Sequence, residues 1–134
     1  MTVLLWCVVA ACVLPYLAHA IKAFGRLKSE ERYDNSHPRD RTPELQGWAR
    51  RAWFAEQNLF EGLPVFIGIA LVAHVAGADP TWSGILGLVW VGARLSYIGA
   101  YVANIAILRS ALFGVSTLCL TGLVILAAMG SLSG

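Results

Sequence analysis

Apolar residues run along the chain in four long blocks, and polar residues collect between them. The blocks cover about 3–24, 54–76, 82–108 and 112–132. Each reaches the roughly 20 mostly apolar residues that an α-helix needs to cross the hydrocarbon core of a bilayer. No series of segments alternates with period two, so a membrane β-barrel is excluded. The pattern predicts an all-α membrane protein, an antiparallel bundle of four transmembrane helices forming a single domain over residues 1–134, with a polar loop over about 25–53. Pro15 falls inside the first block and predicts a kink. Ala18-His19-Ala20 resembles a cleavage site, but no Lys or Arg precedes the apolar run, so the first helix is read as retained.

Composition sharpens this picture. Of the 134 residues, 57% are hydrophobic and 13% charged, against about 25% charged in soluble domains. Mean hydropathy is +0.64. A chain so small and so apolar cannot keep its surface wet, which excludes a soluble enzyme. The net charge of +2 gives no footing for nucleic acid. Cys7, Cys12 and Cys119 lie inside apolar runs and match no metal spacing, so no metal site is read.

The distribution of charge carries more than its amount. Eight of the ten basic residues, Lys22, Arg26, Lys28, Arg32, Arg39, Arg41, Arg50 and Arg51, occupy the loop between the first two helices and its margins. The short loop Gly77-Ala78-Asp79-Pro80-Thr81 and both termini have none, and Arg109 closes the third block on the basic side. Cytoplasmic loops are enriched in Lys and Arg, so the loop is read as cytoplasmic and both termini as outside. Trp48, Trp53 and Trp82 fall where interfacial anchors belong.

A few polar residues stand where lipid should be. Asp79-Pro80 marks a tight turn, so the second and third helices are antiparallel neighbours. Pairing outward from that turn brings Glu61 to the level of Tyr97 and Asn58 to that of Tyr101, with Glu61 roughly 24 Å from the turn. Arg94 is the costliest residue, at about 2.5–3.5 kcal/mol for an Arg at a helix centre, and Glu61 is read as its partner. Arg51, Asn58 and Glu61 share one helix face; Arg94, Tyr97 and Tyr101 share another, with Asn104 continuing that stripe. Arg109 and Ser110 stand at the mouth. Guanidinium groups bind carboxylates in a fork, and Asn and Tyr orient by hydrogen bonds. The set describes a site for a small zwitterionic or anionic ligand with peptide-like groups. His19 and His74 look isolated, and His37 falls in the loop. Gly84, Gly87, Gly92, Gly99, Gly114 and Gly122 are expected to admit close helix contact.

The stretch Arg51-Ala52 through Asn58-Leu59-Phe60-Glu61 to Pro64 resembles the signature of the MAPEG family, the membrane-associated proteins in eicosanoid and glutathione metabolism. Arg94-Leu95-Ser96-Tyr97-Ile98-Gly99-Ala100-Tyr101 and Arg109-Ser110 resemble that family's third-helix pattern. Asp34-Asn35, Pro38-Arg39 and Gly47 resemble its small bacterial branch, which implies a bacterial inner membrane. The resemblance implies a homotrimer that binds glutathione between subunits near the cytoplasmic face and acts on lipophilic electrophiles as a transferase or peroxidase. Asn58, Glu61, Tyr97 and Tyr101, with Arg51, would line the glutathione site, Arg94 would support it from below, and Arg109 with Ser110 would stabilise the thiolate. Two departures stand out: Phe54 occupies the place where glutathione-using eukaryotic members carry an Arg, and Phe113 a place where some carry a Tyr. They keep open a second reading, a non-catalytic trimeric membrane protein or accessory subunit of a larger complex. A small transporter component is a third reading, disfavoured because four spans leave no inverted repeat.

Overall fold

The computed structural model describes residues 1–28, 36, 37, 39 and 45–132. The readings placed on Arg32, Asp34, Asn35, Pro38 and Arg41 lie outside them. The described chain forms four α-helices: α1 (Val3–Lys28), α2 (Gly47–Val75), α3 (Pro80–Val102) and α4 (Ala106–Leu132). Each is long and apolar enough to cross a membrane. Together with the composition, this makes the chain an integral membrane protein.

The helix bounds differ from the hydropathy blocks in an instructive way. α1 runs four residues past the first block, and α2 begins seven residues before the second. Hydropathy marks the part of a helix that lies in lipid, whereas Ala, Arg and Lys keep the backbone helical beyond it. The break between α3 and α4 lies at 103–105, so Arg109 and Ser110 belong to α4 rather than to the end of α3. Asn104 sits there with φ +63° and therefore does not extend the polar stripe of α3. The Ile105 N–H donates to the Ala100 carbonyl and the Asn104 N–H to the Tyr101 carbonyl. That is a Schellman ending, with Asn supplying the left-handed residue usually left to Gly.

α2 ends the same way. Gly77 has φ +73°, and the Ala78 N–H donates to the Ala73 carbonyl. Asp79 then caps α3, its Oδ1 accepting from the backbone N–H groups of Thr81 and Trp82 at 2.9 Å each. Pro80 stands at the first helical position, where its missing N–H costs nothing. The four residues 76–79 thus reverse the chain, with the carbonyls of Val72, Ala73 and His74 and the first N–H groups of α3 all satisfied.

α1 packs on α2 and α3, and α4 packs on the same two helices. Among the described residues α1 and α4 do not meet, so α2 and α3 form the central pair. Small residues draw the helices together: Ala11, Ala18, Ala52, Ala55, Ala70 and Ala73 are all buried. Phe66 of α2 and Trp90 of α3 fill the centre as a parallel stack, with ring centroids 3.9 Å apart. Gly84 and Gly87 admit α1 side chains and Gly122 admits Leu86, whereas Gly92, Gly99 and Gly114 have nothing within 4 Å of where a Cβ would stand. At the turn end, a Cβ on Gly130 would meet the backbone of 76–78 at 2.5–2.7 Å. Ser116, Thr117 and Thr121 return their hydroxyls to α4's own carbonyls, which satisfies them inside an apolar helix.

Candidate functional site

The polar layer lies toward the end of the bundle where the basic residues gather, above the Phe66–Trp90 stack. Its deepest member is Arg94, only 4% exposed. Its Nη1 donates to Asn58 Oδ1 at 2.9 Å. The guanidinium is flanked by the rings of Trp90, Tyr97 and Phe113, with centroid distances of 5.4, 5.5 and 5.1 Å. Gly62 leaves the space that its far edge fills, since a Cβ there would stand 3.3 Å from Nη2. Aromatic faces and one amide oxygen thus hold a charge that would otherwise be prohibitive in lipid. Its Nε has no hydrogen-bond partner within the described chain.

The expected Glu61–Arg94 pair is not formed. No hydrogen bond or ion pair joins Glu61 to another described residue, and its side chain is exposed on the outside of α2. The reason is rotational. Three residues turn a helix by 300°, so Asn58 and Glu61 diverge by about 60°. Asn58 meets Arg94, while Glu61 makes no bond to it and bears on the layer only through its charge near Tyr97.

Tyr97 and Tyr101 do lie together, edge to face at 5.5 Å. Arg109 reaches back from α4 and stands 4.6 Å from the Tyr101 ring centroid. Ser110 beside it is exposed. Asn58, Arg94, Tyr97, Tyr101 and Arg109 therefore make one connected group across α2, α3 and α4. Arg51 is not part of it. Its Nε donates at 2.9 Å to the carbonyl of Val102, one of the acceptors left open at the end of α3. A cation there also opposes the negative end of the helix dipole. Arg51 holds the frame of the site. Phe54 stands under the Arg50 guanidinium at 5.5 Å.

A second polar group escaped the sequence reading. Glu56 of α2 is buried against α1, where His19 Nδ1 lies 2.8 Å from Oε1 and Lys22 Nζ 2.5 Å from Oε2. His19 is therefore not isolated. The signal was present: His19 and Lys22 are three residues apart on one face of α1, and Glu56 stands five residues from Glu61 toward the same end. His74 is exposed near the end of α2. Among the described residues no group of three or more His, Cys, Asp or Glu could hold a metal.

Among known families, the model of the MAPEG family matches residues 3–129 of the chain. No curated protein matches the chain.

Proposed function

The chain belongs to the MAPEG family, and on that premise we propose that it is a glutathione-dependent transferase or peroxidase acting on lipophilic electrophiles. The observation that carries this reading is the convergence of Asn58, Tyr97, Tyr101 and Arg109 from three helices onto one end of the bundle. Arg109 sits at the mouth, where a cation lowers a thiol pKa from about 8.5 toward neutrality and so favours the nucleophilic thiolate. Tyr101 holds that guanidinium by its face. Asn58 is divided between Arg94 and the ligand side, and the tyrosine hydroxyls supply orienting bonds. Arg94 is sealed by rings and acts through Asn58, as a positioning residue. The thiolate sulfur would form its new bond to the electrophilic centre of a substrate arriving through the bilayer, and that centre's leaving group would depart.

Glu61 supports assembly as a homotrimer. A carboxylate on a membrane-spanning helix with no bonded partner among the described residues is costly toward lipid, and a neighbouring copy covering this face would bring Glu61 into a shared site, where it can hold the ligand's amine. We place the basic loop and the mouth in the cytoplasm and both termini outside, on the asymmetry of Lys and Arg, in a bacterial inner membrane.

Glutathione binding to the detergent-purified protein tests this reading. Binding that weakens in Arg109→Ala and in Glu61→Gln is the expected result; none at millimolar glutathione refutes it. One observation favours the second reading, a non-catalytic trimer or accessory subunit. The Phe113 ring lies against Arg94, so an apolar group stands over the deepest cation.

A further inference from the structure

The geometry points to a second binding site, on the outer face of α1 and α2, for a bilayer-dissolved amphiphile with a phenol-type head: a flat ring bearing a hydroxyl. This site does not depend on glutathione use.

The argument begins with Glu56. Its side chain is 7% exposed, and its two oxygens face different partners, Lys22 on Oε2 and His19 on Oε1. With Lys22 balancing its charge, the carboxylate is an acceptor at both oxygens. The Nδ1 of His19 must then carry the proton and donate at 2.8 Å. The remaining nitrogen, Nε2, is the one turned away from Glu56, and in the single-proton form of the ring it is the acceptor. Unlike Glu56, His19 is not enclosed: its side chain is 54% exposed. Charge balance at Glu56 is already met by Lys22. What His19 adds is an outward imidazole whose tautomer is fixed from behind, an arrangement that presents one directed acceptor.

Depth and neighbours define what would use it. Glu56 lies about 28 Å along α2 from Val75, which puts this group at the boundary of a hydrocarbon layer roughly 30 Å thick. One turn deeper, Tyr16 and Phe60 form an edge-to-face pair with centroids 6.1 Å apart, and both are exposed. A ligand there meets an acceptor at headgroup level and aromatic surface below it. Aliphatic alcohols satisfy only the first feature and aromatic hydrocarbons only the second. A ring carrying a hydroxyl donates to Nε2 and packs on Tyr16 and Phe60. A simple phenol has a pKa near 10, like Tyr, and so keeps its proton at pH 8.

The test uses the full chain in phosphatidylcholine nanodiscs at pH 8, with empty nanodiscs as the blank. Isothermal titration compares 4-nonylphenol with its methyl ether, which has the same ring and chain but no donor. The expected result is saturable binding of the phenol about tenfold tighter than the ether, the worth of one hydrogen bond. His19→Phe abolishes that preference, and His19→Gln, which restores an acceptor oxygen, recovers part of it. Tyr16→Ala weakens both compounds alike. Equal binding of phenol and ether, or a preference that survives His19→Phe, overturns the proposal. So does the absence of saturable phenol binding, the result expected if a second copy of the chain covers His19. Glutathione binding measured on the same His19→Phe protein stays unchanged, which separates failure here from failure of the proposed function.

Discussion

Arg94 offers the sharpest test of how the buried polar layer is wired. Among the described residues its one hydrogen bond goes to Asn58, and none joins it to Glu61. A double-mutant cycle with Arg94→Leu and Asn58→Leu, followed by reversible unfolding in mixed micelles, isolates that bond. Hydrogen bonds to charged groups contribute about 1.5–3 kcal/mol, whereas polar pairs between membrane helices average about 0.6 kcal/mol. Arg94 is almost fully buried and keeps an unpartnered Nε, so removing its only polar partner leaves a charge faced by rings alone. The coupling is therefore expected in the upper range, about 1.5–2 kcal/mol. A parallel cycle with Glu61→Gln gives less than about 0.5 kcal/mol, since no contact joins the pair within one chain. Equal or larger coupling of Arg94 to Glu61 than to Asn58 refutes the wiring described above.

Three further outcomes follow from packing and backbone geometry, each read by the same unfolding assay. Phe66→Ala removes one half of the central stack from a site with 0% exposure and costs about 3–5 kcal/mol; less than 1 kcal/mol would contradict a rigid core there. Asn104→Val places a β-branched side chain at φ +63° and costs about 1–2 kcal/mol, whereas Asn104→Gly is neutral or slightly stabilising. Gly130→Ala sets a methyl against the backbone of 76–78 and destabilises by about 1–3 kcal/mol; a neutral result would mean that the α4 end stands clear of the turn.

The four spans were legible in the sequence because lipid imposes length and apolarity together. The α2–α3 turn was equally plain, since Asp79 and Pro80 carry its capping chemistry. The α3–α4 turn was hidden. Apolar residues flank it on both sides, and Asn104 adopts its conformation without the Gly that usually marks such a point. The polar layer was legible in depth but not in rotation. Counting residues brings Glu61 near Arg94, yet 60° around α2 decides which side chain arrives, and that depends on how α2 and α3 face each other. Arg51 was assigned to the site because it shares a face with Asn58; its backbone partner at Val102 is visible only once α3 is known to end there. His19 looked isolated because its partner lies 37 residues away on another helix.

The bond from Arg51 to the Val102 carbonyl also bears on the order in which the molecule is made. The central hairpin is closed at one end by residues 76–79 and at the other by this bond. Both of its parts leave the ribosome before α4 does. The Asn58–Arg94 bond and the Phe66–Trp90 stack lie within the same segment. α2 and α3 can thus fasten themselves, with their buried charge already partnered, while the last helix is still being synthesised. α4 then docks onto a finished surface, bringing Phe113 and Arg109 to a polar layer whose frame is already closed.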